Sequence, residues 1–338
     1  MKLTRRALPW LAAPTLVPGL VPGLVPGLVP ALVSAPALAQ AAWPNRPVRI
    51  VVPFPPGGST DVLARRLADR LSQTMGQTFL VENRAGAGGT TGADHVSKAA
   101  ADGHTLLMGV TGSNAIAQSL YPNLPYDTVR GFAPVARMLS APLVLVVTPG
   151  LPVRDLAGYV AASRTGMMNY ATPGNGTAMH LTAVMFAQAA GVALTHVPYR
   201  GSAQLMVDLV AGTVASAFAD LLVVLPQIAA GTVHALAVTG TTRHPLLPEV
   251  PTVAEAGPPG FQAISWQGLF APPATPAALL EQIHAAFARA MQAEEIGPFF
   301  ARQGFTVETT TPAEFAAFVA TETARWGAVV RAANLRLD

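Results

Sequence analysis

Short apolar runs alternate with helical patterns along most of this 338-residue chain. The first apolar run, residues 48–54, predicts a buried strand. After it, Leu63, Leu67, Leu71 and Met75 recur every fourth residue, which places them on one face of a predicted helix. The alternation predicts an α/β fold in which mostly parallel sheets are flanked by helices. The other strands are expected at residues 79–82, 105–110, 143–148, 168–172, 195–199, 214–218, 234–239 and 264–270.

The last part of the chain is predicted to be helical, over residues 276–291 and 312–334. Each of these segments begins with a Thr-Pro pair. The hydroxyls of Thr275 and Thr311 are therefore expected to cap the two helices, with proline as the first helical residue.

Two predicted strands are expected to carry the chain between two lobes. If the runs at residues 143–148 and 264–270 cross, lobe 1 consists of residues 43–143 plus 265–338, and lobe 2 of residues 144–264. Two crossings form a hinge, and a ligand cleft lies between the lobes of such proteins.

The first 39 residues have the pattern of an export signal that is later removed. Lys2, Arg5 and Arg6 precede a long apolar stretch that ends in an A-x-A cleavage pattern at residues 37–39. The alternative is a membrane anchor, but the repeated prolines of this stretch remove helix hydrogen bonds and disfavour a spanning helix. The Arg5-Arg6 pair leaves both Sec and twin-arginine export open.

Charge and composition exclude several classes of function. Residues 1–39 hold three of the 21 Lys and Arg and none of the 18 Asp and Glu, so the remaining chain has no net charge. No basic stripe remains to bind nucleic acid. The absence of cysteine excludes disulfides and thiolate chemistry. The 7 histidines lack metal-ligand spacing and no dinucleotide, Walker A, G-x-S-x-G or H-E-x-x-H motif occurs, so neither a metal nor a cofactor is expected.

Four glycine-rich segments connect a predicted strand to a predicted helix. They are residues 53–61 (PFPPGGSTD), 82–92 (ENRAGAGGTTG), 170–180 (YATPGNGTAMH) and 197–202 (VPYRGS). In such connections, bare backbone N–H groups meet the positive end of the helix dipole. A carboxylate or phosphate can bind there without a buried Lys or Arg. If all four segments lie at the carboxyl ends of their sheets, they face each other across the cleft.

These segments and their order resemble the Bug-family periplasmic receptors of tripartite tricarboxylate transporters. The motifs that carry the resemblance are Trp43-Pro44, residues 53–61, 82–89 and 196–201, the run PEVPTVAEAG at residues 248–257, and Arg325-Trp326. The resemblance spans essentially the whole chain after the signal. It implies a two-lobed periplasmic binding protein of type II-like architecture, with no enzymatic activity. Such a protein closes on a small organic anion (a carboxylate, an aromatic acid or an amino acid) and delivers it to a two-component membrane permease. A monomer is expected, since nothing in the pattern indicates a large apolar interface.

The resemblance also implies a set of ligand-binding residues, because in that family backbone N–H groups, hydroxyls and water from both lobes hold the carboxylate. Two departures concern lobe 2. Ala183 and Val184 stand where the family often has Gly-Glu, and Ala219 stands where an acidic residue is expected, with Asp220 next. They leave the ligand's identity open. The implied residues are Phe54, Gly57, Gly58, Ser59, Thr60, Gly86, Gly88, Gly89, Thr111, Ser113, Thr172, Gly174, Asn175, Gly176, Thr177, Tyr199 and Asp220.

Several residues near these motifs also have structural explanations. Asp61 lies in the first turn of its helix, where compensation of the dipole or capping is expected rather than ligand contact. His180 is expected to be packed or solvent-facing. Tyr199 and Trp266 are expected either to line the cleft or to lie in the core, where their polar group would be hydrogen-bonded.

Two other functions stay open from the sequence. A periplasmic hydrolase would use the same cleft if folding brought Ser59 to a distant His and Asp. A closed receptor would also serve by presenting its ligand to a membrane sensor instead of a permease. Turnover of an ester or amide, lost on Ser59→Ala, distinguishes the hydrolase from a binding protein.

Overall fold

The computed structural model describes residues 43–166 and 168–337, so the predicted export signal lies outside the described residues. The strands are β1 (Val48–Val52), β2 (Phe79–Asn83), β3 (Thr105–Val110), β4 (Ala133–Pro142), β5 (Val144–Val147), β6 (Met168–Thr172), β7 (Leu194–Pro198), β8 (Ser216–Ala219), β9 (His234–Val238), β10 (Ile264–Ala271) and β11 (Thr306–Val307). The helices are α1 (Ser59–Met75), α2 (Thr90–Ser97), α3 (Ala117–Leu120), α4 (Leu156–Thr165), α5 (Ala178–Ala190), α6 (Ser202–Ala211), α7 (Leu221–Ala229), α8 (Val253–Ala256), α9 (Ala277–Met291), α10 (Gly297–Arg302) and α11 (Pro312–Ala332). A 3₁₀ turn at Ala87–Gly89 and a π-helical turn at Gly112–Ile116 complete the elements.

The strands form two sheets. The first sheet has the order β11-β4-β10-β3-β1-β2, and the second has the order β7-β6-β8-β5-β9. The chain leaves the first sheet after Pro142 and enters the second at Val144, then returns after Val238 to re-enter the first sheet at Ile264. Every predicted strand therefore belongs to one of these two sheets.

Both sheets are mixed rather than mostly parallel, which corrects that part of the predicted fold class. β1 pairs in parallel with β2 and β3, and β6 pairs in parallel with β7 and β8. The pairs of β10 with β3 and β4, of β11 with β4, and of β5 with β8 and β9 are antiparallel. The crossings account for the antiparallel pairs of β10 and β5. Each of these strands arrives from the other sheet, so it starts at the edge where the parallel strands of its new sheet end and runs the opposite way.

The strand prediction was correct to the residue for β3 and β6, and it missed the longest strand, β4. β4 has the sequence APVARMLSAP, with Pro134 and Pro142 near its ends and Arg137 in its middle. This composition gives no regular alternation, and prolines argue against an interior strand. The pairing with β10 nevertheless runs from Ala133 to Pro142.

The core of each layer is built from the predicted apolar faces. Leu63, Leu67 and Leu71 of α1 are fully buried, as the four-residue spacing predicts, and Met75 packs at the edge of the same cluster. Within the part of the chain that the structure describes, no helix has the length and apolar character needed to cross a membrane.

The two predicted Thr-Pro caps have different outcomes. Thr311 caps α11: its hydroxyl accepts a hydrogen bond from the Glu314 N–H, and the Glu314 carboxylate accepts one from the Thr311 N–H. The prediction for Thr275 is wrong. Its hydroxyl donates to the carbonyl of Pro272 at 2.7 Å. Helix α9 begins at Ala277, one residue after the predicted start, and has no side-chain cap. The preceding turn thus uses the hydroxyl that the helix would need.

A buried carboxylate joins the C-terminal helix to the crossing strand β10. Glu322 of α11 is 5% exposed and accepts hydrogen bonds from two indole N–H groups, those of Trp266 at 3.2 Å and Trp326 at 3.0 Å. Its other oxygen accepts a hydrogen bond from Arg325 at 3.1 Å. Both indoles are fully buried, so this carboxylate satisfies donors that water cannot reach.

Replacing Glu322 with Ala is expected to lower the free energy of unfolding by about 3 kcal/mol, because two buried indole donors lose their acceptor. Denaturant unfolding measures the difference. Glu322→Gln is the matched control: its amide oxygen can still accept from the indoles, so a loss of about 1 kcal/mol or less is expected. Equal losses for the two variants would contradict this role of the carboxylate.

Candidate functional site

The glycine-rich loops of the two sheets lie against each other. A Cβ atom placed on Gly88, in the second loop, would overlap the carbonyl oxygen of Asn175 in the third. A Cβ atom placed on Gly201, in the fourth loop, would lie 3.3 Å from Cδ of Pro55 in the first. The Tyr121 hydroxyl bridges the second and third loops, since it lies 3.5 Å from the carbonyl oxygen of Ala87 and 3.4 Å from that of Asn175. The structure therefore describes a closed arrangement of the four loops.

Three long helices begin at this junction. Gly58 precedes α1 and Gly201 precedes α6, and neither supplies a side-chain cap. Thr177 caps α5, with its hydroxyl accepting from the His180 N–H. The first-turn amides of α1 and α6 are thus left for another acceptor, and the positive ends of the helix dipoles favour a negative one. Local sequence dictates this, because glycine can precede a helix without covering its donors.

A cavity with about 580 Å³ of empty space, partly continuous with solvent, lies between these helix starts. Its lining contains no Lys, Arg or His among the described residues. The lining residues are Phe54, Pro55, Gly58, Ser59, Thr60, Asp61, Val110, Thr111, Gly112, Pro173, Thr177, Ala178, Met179, Gly201, Ser202, Asp220, Ser265 and Gln267.

A second, outer space of about 1000 Å³ adjoins the inner cavity and shares four residues with it: Phe54, Pro55, Pro173 and Gly201. It runs between the second, third and fourth loops. Its other lining residues are Ala85, Gly86, Ala87, Gly88, Gly89, Gly174, Asn175, Pro198, Tyr199 and Arg200. Arg200 lines this outer space and not the inner cavity.

The structure divides the predicted ligand-binding residues into three groups. The inner cavity is lined by Phe54, Gly58, Ser59, Thr60, Thr111, Thr177 and Asp220. The outer space is lined by Phe54, Gly86, Gly88, Gly89, Gly174, Asn175 and Tyr199. The residues that line neither are Gly57, Ser113, Thr172 and Gly176.

The polar groups of the third group are engaged within the protein. The Gly57 N–H donates to the Asp61 carboxylate at 3.2 Å, and the Gly176 N–H donates to Nδ1 of His180 at 3.1 Å. The Ser113 hydroxyl donates to Asn114 at 2.7 Å. The Thr172 hydroxyl lies 2.6 Å from Nε2 of His196. The hydrogen bonds of these four residues thus hold the loops in place within the protein.

Gln267, Ser265 and Gly112 also line the inner cavity, and none of them was predicted as a site residue. Gln267 had a detectable signal, since it is the polar residue within the buried apolar run of β10, ISWQGLFA. A polar side chain inside such a run needs a partner or a ligand. Trp266, its neighbour, points the other way and lies fully buried in the core.

Two carboxylates border the inner cavity, and their environments differ. Burial disfavours the charged form of Asp61, but hydrogen bonds from Arg65, Asn83 and the Gly57 N–H outweigh burial and hold its pKa below the ordinary value. Burial raises the pKa of Asp220, although the Ser59 hydroxyl and the Leu222 N–H favour its charged form. Structural partners thus favour the charged form of Asp61, whereas burial makes Asp220 costly to ionise.

Behind the third loop, two buried histidines stack on each other. The rings of His180 and His196 are 4.1 Å apart between centroids, and Tyr170 stacks on His196 at 5.0 Å. Burial lowers the pKa of His180 to about 3, with repulsion from His196 adding to it, and burial lowers the pKa of His196 to about 4. His180 is therefore a packed, neutral histidine that positions the Gly176 amide.

Stability is expected to fall as the pH drops from about 6.5 towards 4, because the unfolded histidines bind protons that the folded pair excludes. The loss at pH 5 amounts to about 2 kcal/mol for His180, and less for the partly exposed His196. Urea unfolding between pH 7 and pH 5 measures the slope. His180→Gln, which retains an acceptor for the Gly176 N–H, is expected to flatten the slope, whereas His234→Gln, outside the stack, leaves it intact. An unchanged slope in His180→Gln would contradict the assignment.

Comparison with known proteins identifies the class of this fold and cavity. The family model described as "Tripartite tricarboxylate transporter family receptor" matches residues 63–335. The protein BugT of Bordetella pertussis is 39% identical over 298 residues, which cover 87% of this chain and 91% of BugT. A solved structure described as R. palustris Rpa4515 with adipate is 35% identical, with a TM-score of 0.83, and covers 87% of this chain and 100% of that one. MatC (Rpa3494) from Rhodopseudomonas palustris with bound malate is 34% identical, with a TM-score of 0.81, and covers 85% of this chain and 100% of that one.

The chain belongs to the tripartite tricarboxylate transporter receptor family, as the resemblance predicted. It is a solute-binding receptor with the two-lobed α/β fold of periplasmic binding proteins, and not an enzyme. The cavity agrees with this. The Ser59 hydroxyl donates to Asp220 at 2.7 Å, and no histidine is among the described residues that line the cavity, so the alternative of a hydrolase triad has no base.

Proposed function

We propose that this receptor captures a small organic anion and holds a carboxylate with backbone amides at the junction of its two lobes. One observation carries the proposal: α1 and α6 start at one cavity without side-chain caps, and the described lining holds no Lys, Arg or His. A carboxylate would satisfy the free first-turn amides and gain from the helix dipoles. Exclusion of water on closure strengthens such hydrogen bonds.

We assign residues 43–143 and 265–338 to lobe 1 and residues 144–264 to lobe 2. The two passages of the chain between the sheets, at residues 142–144 and 238–264, support these bounds. Rotation about these two crossings would open the loops from each other and admit a ligand. Contacts to both lobes would then favour the closed form.

The inner cavity is the proposed carboxylate site, with Gly58, Ser59 and Thr60 at the start of α1 in lobe 1 and Ser202 at the start of α6 in lobe 2 as its donors. Phe54, Thr111, Thr177 and Asp220 complete its wall. Gly86, Gly88, Gly89, Gly174, Asn175 and Tyr199, which line the outer space, would form the entrance that closure seals. Gly57, Ser113, Thr172 and Gly176 are proposed to hold these loops in place without touching the ligand.

A panel of anions tests this function. Mono- and dicarboxylates, aromatic acids and amino acids are added singly to the purified receptor without its residues 1–39, and melting temperature and calorimetric heats are measured. At least one carboxylate is expected to raise the melting temperature by several degrees at a concentration 100 times its Kd, since binding at that excess stabilises by about 2.7 kcal/mol. Phosphate and an uncharged sugar serve as controls. If no carboxylate shifts the melting curve, the proposed function is wrong.

The receptor is proposed to act in the periplasm after removal of residues 1–39. Mass spectrometry of the protein recovered from the periplasm is expected to give a mature chain that starts at Gln40, after the A-x-A pattern at residues 37–39. A protein that retains its first 39 residues in the membrane fraction would contradict removal of the signal.

Delivery to a two-component membrane permease is the proposed role of the closed form. Uptake of a radiolabelled ligand, once the panel identifies one, is expected to require both the receptor and the permease. Binding without uptake, together with ligand-dependent activation of a membrane sensor, would favour the sensory alternative instead.

A further inference from the structure

One polar chain connects the two sheets across the floor of the inner cavity. The Gln267 side-chain amide N–H donates to Oγ of Ser59 at 2.6 Å, and the Ser59 hydroxyl donates to Oδ2 of Asp220 at 2.7 Å. Oδ1 of Asp220 accepts from the Leu222 N–H at 3.0 Å. Gln267 is 3% exposed, and Ser59 and Asp220 are 6% exposed each. With Asp220 ionised, the chain runs in one direction, from the amide through the hydroxyl to the carboxylate.

This direction leaves one atom without a partner. A hydroxyl has a single proton, and Ser59 gives it to Asp220, so only the N–H group of Gln267 can bond to Ser59. Oε1 of Gln267 is then buried, and no described residue places a hydrogen-bond donor within its reach. Gln267 lines the inner cavity. Buried acceptors are almost always hydrogen-bonded in folded proteins. We therefore expect the ligand to supply the hydrogen-bond donor for this oxygen.

The inner cavity thus combines two kinds of polar group. Amides at the starts of α1 and α6 are donors and suit a carboxylate. Oε1 of Gln267 is an acceptor and suits an O–H or N–H group. An unsubstituted aliphatic acid satisfies the first and leaves the second unpaired. A hydroxy acid or amino acid satisfies both.

We infer that Gln267 is a specificity-determining residue that selects, among small carboxylates, those bearing a hydroxyl or amino donor. The inference rests on the proposed function, since it deepens the ligand class of the same cavity. A site built to hydrogen-bond a ligand group discriminates strongly against the analogue that lacks it, because its own buried polar atom is left unpaired. Ser59 and Asp220 act through Gln267 by fixing which end of its amide faces the ligand.

Matched acids of one skeleton provide the test. Succinate, malate and aspartate share four carbons and two carboxylates and differ in carrying no donor, a hydroxyl or an ammonium group. Propionate, lactate and alanine form the corresponding three-carbon series, and glutarate, 2-hydroxyglutarate and glutamate the five-carbon one. Kd values are measured by calorimetry for each series. In the series that binds, at least one donor-bearing member is expected to bind ten-fold or more tightly than its unsubstituted analogue, and the hydroxyl and ammonium members show which donor is preferred.

Gln267→Met, which retains length but removes the acceptor, is expected to reduce this ratio to three-fold or less. Gln262→Met is the matched control, because Gln262 is an exposed glutamine five residues earlier in the chain, and the ratio is expected to be unchanged. If Gln267→Met fails to fold, the wild-type ratio decides alone. A wild-type ratio below three-fold in a series that binds, or an unchanged ratio in folded Gln267→Met, would overturn the inference. No binding by any acid would instead refute the proposed function.

Discussion

Replacing Gly58 with Asp is expected to abolish the binding of carboxylates while leaving the free receptor folded. Gly58 precedes α1 with φ −85° and ψ 168°, which any residue adopts, and an added Cβ would meet nothing nearer than the Ser202 hydroxyl at 4.0 Å. An aspartate there would accept from the first-turn amides of α1 and cap the helix. It would therefore occupy the donors of the proposed anion site and place a negative charge beside them.

The expected loss of affinity is at least 100-fold, about 2.8 kcal/mol, measured by calorimetry with whichever carboxylate binds the wild-type receptor. The free energy of unfolding of the unliganded variant is expected to rise by about 1 kcal/mol, because a capped helix replaces an uncapped one. If Gly58→Asp were instead less stable than the wild type, the loss of binding would reflect damage to the fold and not occupation of the amides by the aspartate.

Two variants at the same position separate charge from capping. Gly58→Asn covers the amides without a charge, so we expect an intermediate loss of affinity. Gly58→Ala adds neither a cap nor a charge, so we expect affinity close to that of the wild type. Full binding by Gly58→Asp would remove α1 from the anion site and with it the central observation of the proposed function.

The second large effect is expected from Gly88→Ala, which should prevent the loops from closing. Gly88 has φ +64° within the turn Ala87–Gly89, and a Cβ atom there would overlap the carbonyl oxygen of Asn175 in the opposing loop. Backbone cannot move aside as a flexible side chain does. The closed form is therefore penalised, and ligand affinity is expected to fall ten-fold or more because closure and binding are coupled.

Gly76→Ala is the matched control for this variant. Gly76 ends α1 with φ +68°, and an added Cβ would have open space around it. Both variants carry the strain of a left-handed alanine, about 1 kcal/mol, so both are expected to lose similar stability. Only Gly88→Ala is expected to lose affinity. Small-angle X-ray scattering with saturating ligand should show a larger radius of gyration for it, and equal affinities in the two variants would argue against closure at Gly88.

The closed arrangement would let a cavity with no cationic side chain in its described lining hold an anion. The proposed donors come from α1 and α6, whose starts at Ser59 and Ser202 border the same cavity when the loops meet. Each helix start by itself faces water and competes with it for a carboxylate. Shielded from water by the opposing lobe, the same amides form stronger hydrogen bonds.

Much of the site followed from local sequence. Gly58 at the start of α1, Gly201 at the start of α6 and Thr177 as the cap of α5 were predictable, because helix signals depend on neighbours in the chain. The strands β3 and β6 were predicted to the residue for the same reason. The order of several motifs, among them glycine-rich segments, Trp43-Pro44 and the run at residues 248–257, was sufficient to indicate the family, which the comparisons then showed.

The sequence by itself thus determined the alternation of strands and helices and the positions of bare helix starts, since both arise from interactions within about one turn or one strand. Only the tertiary structure decided which of these groups share a cavity. It turned Ser113 and Thr172 inward, placed Trp266 in the core, and brought Gln267 of β10 to Ser59 of α1, 208 positions apart in the chain. Contacts of that separation depend on how two sheets and their crossing strands pack, and no local pattern encodes them.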